Sequence, residues 1–140
     1  MGRLVTDQKE RVAQWVAARV EQSASWGAFY AMGVERDGEI VAGVVVNNFN
    51  GANATAHIAI DRPGKDTIVL LRAVADYAFR QCRLKRLTGL VPASSPDVLA
   101  FDLHIGWEEE FVMPCAAPDG GPLHVLVMWP DKCRWLEKQP

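Results

Sequence analysis

The sequence predicts an α/β fold, specifically a mixed, mostly antiparallel sheet with helices on both faces. Asp37-Gly38 favours a two-residue hairpin turn, and β-forming residues lie on either side of it. Farther along, an apolar helix pattern at about 67–82 separates two more strand-like runs. Strands joined through such a crossover run parallel in one sheet. The predicted strands are 29–35, 39–47, 54–61 and 86–91.

Composition limits the class of protein. A chain of 140 residues with 49% hydrophobic residues is expected to form one globular domain over 1–140. The net charge of −2 argues against a general nucleic-acid binder, and no apolar run is long enough to cross a bilayer. The N-terminus lacks a signal-peptide core, and the three cysteines form no CxxC pair, so we expect free thiols and a cytoplasmic location.

The N-terminal region predicts a short stub of strand at Leu4-Val5 and one amphipathic helix. Asp7 and Glu10 form a capping-box-like start. Residues 23–27 break the helix, which leaves about four turns. The apolar residues at helical spacing are Val12, Trp15, Val16 and Val20.

The hairpin continues into a three-strand meander. The nearly unbroken apolar run 41–46 indicates a central strand buried on both faces. Asn50-Gly51 marks the next turn, before the strand 54–61. The alternation of that strand places two sets of residues on opposite faces: His57, Ala59 and Asp61 on one, Ile58 and Ile60 on the other.

The segment 86–107 predicts a strand, a tight loop, a short helix and a glycine stop. Pro92 ends the strand, because proline cannot donate to a sheet ladder. Ser95 is a good N-cap, and Pro96 suits the first helical position. Gly106 lies where a left-handed C-cap is expected. The predicted buried stripe of this helix consists of Val98, Phe101 and Ile105.

The C-terminal part predicts two more strands and a polar tail. The first strand covers 107–113 and carries three consecutive glutamates, 108–110. A long turn over 114–122 leads to a closing strand at 123–129, which Pro130 ends. In the tail, 131–140, Trp135 and Leu136 are expected to pack as a short terminal turn.

This order of elements resembles the GNAT superfamily of acyl-CoA-dependent N-acetyltransferases, over nearly the whole chain. The family pattern in its C-terminal half is a strand, Asn-x-x-Ala, and a helix ending Leu-Tyr-x-x-x-Gly-Phe. Gly106-Trp107 matches Gly-Phe, and the remaining matches are Phe101 for Leu, Asp102 for Tyr and Ser95 for Asn. The chain is expected to lack the family's N-terminal strand and one of its early helices.

The resemblance implies acetyl-CoA as cosubstrate and an amine-bearing acceptor. In the family, a Gln/Arg-x-x-Gly-x-Gly/Ala loop at a helix N-terminus holds the pyrophosphate. An ordinary Pro-Gly turn capped by Asp66 is the alternative here, and the charge of Asp66 counts against an anion. The implied cofactor-binding residues are Arg62, Gly64, Lys65, Asp66 and Thr67 in the loop, Ile58, Ala59 and Ile60 along the thioester, and Ser95 and Phe101 by the motif match.

Candidate catalytic groups are His57 and Asp102. The family's usual acid is the tyrosine that Asp102 replaces here, and a carboxylate donates poorly at neutral pH unless its pKa is strongly raised. His57 suits general-base work, but a hydrogen-bonded sheet histidine is the alternative. Glutamates 108–110 either meet a basic acceptor or form a solvated face. No metal-binding motif occurs in the sequence.

Two function hypotheses follow. The first is an acetyl-CoA-dependent N-acetyltransferase whose substrates are acyl-CoA and an amine. This enzyme is expected to bind neither nucleic acid nor a membrane, and a homodimer is one possible assembly. The second is a catalytically inactive GNAT-like domain that acts as a binding or assembly protein. The shortened N-terminal region, which normally walls the acceptor pocket, leaves the acceptor open.

Overall fold

A computed structural model describes residues 2–20 and 25–136. Within them lies one seven-stranded mixed sheet, ordered β1-β2-β3-β4-β5-β7-β6. The pair β4–β5 is parallel and every other pair is antiparallel, so the predicted fold class and the parallel crossover are confirmed. The strands are β1 Arg3–Val5, β2 Phe29–Arg36, β3 Glu39–Asn47, β4 Asn53–Ile60, β5 Arg86–Pro92, β6 Glu108–Met113 and β7 Leu123–Met128.

Helices lie on both faces of the sheet. They are α1 Lys9–Arg19, α2 Lys65–Ala75, which continues as a π-helical turn Asp76–Gln81, and α3 Pro96–His104. A 3₁₀ turn, Pro130–Lys132, follows β7. The helix α1 packs on β2 and β3 through one core cluster, while α2 packs on the opposite face. The central strand β3 contributes Val45 to the α1 side and Val44 and Val46 to the α2 side, which confirms its predicted burial on both faces.

The hairpin between β2 and β3 has the predicted geometry. Asp37 and Gly38 both have positive φ, 52° and 81°. This combination is the type I′ turn, whose twist matches that of the flanking strands. The sequence prediction for this turn is therefore confirmed.

The N-terminal region differs from the prediction at the start of the helix, and from the resemblance because it keeps a short first strand. The helix α1 begins at Lys9 after Gln8, which makes no side-chain cap bond, so the predicted start at Asp7 is wrong. The stub at Leu4-Val5 is a real strand, since β1 pairs antiparallel with β2. The N-terminal strand is thus shortened rather than lost. The predicted break over 23–27 begins with residues outside the described part of the chain.

The helix α3 ends as predicted, but its inward face differs in part from the predicted stripe. Gly106 has a φ of +114°, and the N–H of Trp107 donates to the carbonyl of Asp102, which is the Schellman closure. Val98 is 44% exposed, so its place in the predicted stripe is wrong. Ile105 is buried and Phe101 half-buried, as predicted, and the inward face also includes buried Asp102 and half-buried Leu99. Ser95 occupies the N-cap position without a side-chain cap bond.

Candidate functional site

The strands β4 and β5 open into a wedge. They pair over three positions, the last of which is Thr55 with Thr88, although β4 runs on to Ile60 and β5 to Pro92. The outer edges of both strands stay paired, β4 with β3 and β5 with β7. Beyond Thr55 and Thr88, the facing backbone groups of β4 and β5 therefore border a gap within the sheet. Such an edge can hydrogen-bond an extended ligand as an added strand would.

An apolar cavity lies at the closed end of this wedge. Its wall includes Ala56 and Ile58 of β4, just beyond the point where the strands part, and Leu87 of β5, just before it. Ile105 at the end of α3 and Trp135 of the C-terminal segment complete the opposite side. About 30 Å³ is open to the centre of a water-sized sphere. The cavity is therefore small and apolar.

The loop at the open end of the wedge forms a capped helix N-terminus. The N–H of Gly64 donates to Thr67 Oγ1 at 2.9 Å, and the N–H of Thr67 donates to the Gly64 carbonyl at 3.0 Å. The helix α2 begins at Lys65, two residues before the predicted start at Thr67. Within the described residues, the N–H of Lys65 has no hydrogen-bond partner. The loop thus keeps fewer free donors than its position suggests.

Asp66 does not cap this helix, and its negative charge is paired with a cation. Its carboxylate binds Arg36 of β2 through two contacts, Nε to Oδ2 at 2.8 Å and Nη2 to Oδ1 at 2.5 Å. The N–H of Gly2 donates to Oδ2 as well. The hydrogen bond from Arg36 holds the pKa of Asp66 below its usual range. The alternative in which Asp66 caps a Pro-Gly turn is therefore wrong.

The ion pair of Asp66 gives a pH-dependent prediction. We expect Asp66→Asn to lose about 1 kcal/mol of unfolding free energy at pH 7, after allowance for solvent screening. Because the folded pKa is depressed, this stability exists above the unfolded pKa and disappears as pH falls through the folded pKa. Urea denaturation at pH 7 and pH 3 measures it, with exposed Asp97→Asn as the control. A loss at pH 3 as large as at pH 7 would contradict it.

His57 lies on the α1 face of the wedge in a polar network. The side-chain amide of Asn47 donates to the Trp26 carbonyl at 3.2 Å, so its Oδ1 faces His57 Nε2 at 2.9 Å. Nε2–H is therefore the donor, and the lone pair of the neutral ring is on Nδ1. The Trp26 ring packs edge-on against the imidazole, and burial lowers the pKa of His57 to about 4. The ring is hydrogen-bonded, as the alternative of a structural sheet histidine requires. The role of His57 as a general base stays a prediction.

Asp102 lies on the opposite side of the sheet from His57, on the inward face of α3. Its side chain is buried, and Oδ1 has no hydrogen-bond partner among the described residues. Burial raises the pKa of Asp102 to about 7. A carboxyl group with this pKa is partly protonated at neutral pH. Asp102 therefore has the raised pKa that a carboxyl group needs to donate a proton at neutral pH.

The remaining predicted site residues divide between the two faces. Ile58 lines the cavity and Ile60 packs with the α2-side core, whereas Ala59 packs toward α1. Phe101 packs against the α2-side core, while Ser95 sits at the start of α3. The wedge thus has His57 on one side and Asp102 on the other without direct contact between them. Sequence reasoning missed three residues of the site: Asn47, Trp26 and Trp135.

The acidic run on β6 pairs with basic side chains. Each of these three glutamates has a basic partner and remains partly exposed, which agrees with the predicted solvated face. The pairs are Glu108 with Lys132, Glu109 with His124 and Glu110 with Arg86, the last through two contacts of 2.8 Å. In residues 2–20 and 25–136, no three metal-ligating side chains cluster. No described helix is long and apolar enough to cross a membrane.

Comparison with known proteins identifies the fold. No protein-family model and no curated protein sequence matches the chain. Solved structures of the spermidine N-acetyltransferase from Vibrio cholerae are similar to it. A dodecameric form matches with a TM-score of 0.73 and 14% identity, over 94% of this chain and 95% of that one. A chimeric form matches with a TM-score of 0.73 and 13% identity, over 94% and 96%. The chain therefore has the GNAT fold.

Proposed function

We propose that this protein is an acyl-CoA-dependent N-acyltransferase that transfers an acetyl group to an amine acceptor. The observation that carries the proposal is the opened β4–β5 pair within a sheet of GNAT fold. The gap offers backbone groups of 56–60 along one strand edge, with an apolar cavity at its closed end. An amide-bearing thioester arm has the length and hydrogen-bonding pattern to lie along such an edge.

The loop before α2 suits the phosphate end of the same ligand. The free N–H of Lys65 lies at the positive end of the helix dipole, and the exposed side chains of Arg62 and Lys65 add charge. The ion pair of Asp66 with Arg36 removes the objection that its carboxylate repels an anion. Since Gly64 and Thr67 bond to each other, the phosphate end is held weakly.

The two sides of the wedge supply different proton transfers. An amine that approaches from the α1 face attacks the thioester carbonyl, whose oxygen is polarised by N–H groups of β4. His57 Nδ1 accepts the proton that the amine nitrogen loses. When the C–S bond breaks, Asp102 in its protonated form supplies a proton to the leaving thiolate. The base and the acid thus lie on opposite faces of the sheet.

We also place the protein in the cytoplasm, with assembly between copies. The three cysteines, Cys82, Cys115 and Cys133, are free, which supports a reducing compartment. Phe111 on the outer strand β6 is 60% exposed, and its neighbour Val112 is partly exposed. The exposed apolar side chains in the second half of this edge strand favour association of copies, for which a homodimer is the smallest assembly.

The alternative is a GNAT-like binding or assembly domain without enzymatic activity. The observation that favours it is the closed capping box at Gly64 and Thr67, which satisfies donors that a pyrophosphate would otherwise use. This hypothesis and the enzyme differ in one direct expectation, namely whether coenzyme A binds.

Thermal unfolding with acetyl-CoA and with free coenzyme A tests the proposal. A ligand present at a hundred times its Kd stabilises the folded state by about 2.7 kcal/mol, which raises Tm by several degrees in a protein of this size. We expect this shift with both ligands and none with ATP at equal concentration, which controls for polyphosphate charge. No shift with millimolar acetyl-CoA or coenzyme A would overturn the enzyme and favour the binding domain.

A further inference from the structure

The cavity and the phosphate loop lie at opposite ends of the wedge. The loop 61–64 follows the C-terminal end of β4, where β4 and β5 are apart. Ala56 and Leu87 line the cavity at the other end, next to the last paired positions. A thioester arm anchored by its phosphates at the loop and lying along β4 therefore directs its acyl end toward the cavity.

The chemistry of the cavity fits a hydrocarbon group. Its wall is built of apolar side chains from the sheet and from α2, including Leu71 and Val74. A water molecule needs roughly 10–15 Å³ by the same measure, so the open volume holds about two water-sized groups. An apolar space of this size suits the methyl end of a short acyl chain and excludes a long one.

Trp135 lines the cavity and limits its size, although it belongs to neither the sheet nor the helices. It belongs to the segment after β7 and packs against the α2-side core. Its indole Nε1–H donates to the carbonyl of Ile105 at 2.7 Å, which fixes the ring beside the end of α3. The carbonyl group of His104 accepts a bond from Arg134, so two adjacent residues tie the segment to α3.

We propose that this cavity is the acyl-binding pocket and that Trp135 sets the acyl chain length, which restricts the enzyme to short acyl groups. The inference rests on the proposed function and extends it to the class of acyl donor. The indole fills the space into which a longer chain would extend, while the strand edge and the loop remain available to any acyl-CoA.

The test compares binding of free coenzyme A, acetyl-CoA and hexanoyl-CoA by calorimetry to wild type and Trp135→Ala. We expect wild type to bind acetyl-CoA more tightly than hexanoyl-CoA. The ratio of their affinities should change about tenfold or more toward hexanoyl-CoA in Trp135→Ala, because each newly buried methylene contributes several-fold in affinity. Affinity for free coenzyme A should remain unchanged. Trp15→Ala, on α1 at the opposite face, is the matched control and should keep the wild-type ratio.

Each outcome separates this inference from the proposed function. If free coenzyme A binds but the acyl-chain preference is the same in wild type and Trp135→Ala, the pocket assignment is overturned and the proposed function stands. If no coenzyme A compound binds, both fall. Should Trp135→Ala fail to fold, Trp135→Leu keeps an apolar contact with the core, and an unchanged preference in that variant overturns the assignment equally.

Discussion

Replacing Asp102 with asparagine is expected to remove a large part of the pH dependence of stability between pH 4 and pH 8. In the wild type, burial raises the folded pKa of Asp102 to about 7, whereas an unfolded aspartate titrates near 3.9. The folded state therefore binds its proton more tightly. The resulting stability is fully present below the unfolded pKa and is lost as pH rises toward the folded pKa.

The expected size follows from the gap between the two pKa values. About three pKa units correspond to roughly 4 kcal/mol of unfolding free energy between pH 4 and pH 8. Asparagine cannot ionise, so in Asp102→Asn this position should contribute almost no pH dependence to the unfolding free energy over this range. Urea denaturation at closely spaced pH values measures the slope. The control is Asp97→Asn at the exposed start of α3, and equal slopes in wild type and Asp102→Asn would show that Asp102 titrates normally.

The fold was predictable because it depends on strong local signals. The Asp37-Gly38 turn permits positive φ at both positions, and Gly106 closes α3 with the one residue type that adopts its conformation freely. The nearly unbroken apolar run of β3 favours a central strand. Each of these features is determined by a few neighbouring residues, and the tertiary contacts are consistent with them.

The site was predictable only in outline, because its properties arise from distant contacts. The partner of Asp66 is Arg36, thirty positions away, and no local pattern connects them. Helical spacing predicts an apolar inward face for α3, and burying a carboxylate there is costly. The structure buries Asp102 there and raises its pKa instead. Burial therefore makes Asp102, an aspartate that would ordinarily be a poor acid at neutral pH, able to donate a proton there.

The role of Trp135 shows the same limitation in a different form. The sequence predicts that Trp135 and Leu136 pack, and both lie against the α2-side core. The sequence gives no indication that the indole would contact the carbonyl of Ile105 or border the cavity between β4 and β5, because both depend on where the chain returns after β7.

Replacing His57 with glutamine is expected to slow acyl transfer by about a hundredfold near neutral pH if His57 is the base. Glutamine keeps an N–H that can donate to Asn47 Oδ1, so the buried network stays satisfied, but it has no basic nitrogen. The pKa of His57, lowered to about 4 by burial, makes the imidazole a weak base that remains neutral above pH 5. Its contribution should therefore lie at the low end of general-base effects, with little pH dependence from its own titration.

The measurement is release of the coenzyme A thiol from acetyl-CoA with a simple primary amine, followed from pH 6 to pH 10. The deficit of His57→Gln should shrink at high pH, where the amine loses its proton without help. His124→Gln on β7, paired with Glu109, is the matched control and should retain wild-type rates. If His57→Gln is as fast as wild type throughout, His57 is a structural residue. The base would then be Asp61, which pairs with Arg19, a glutamate of the 108–110 run, or water.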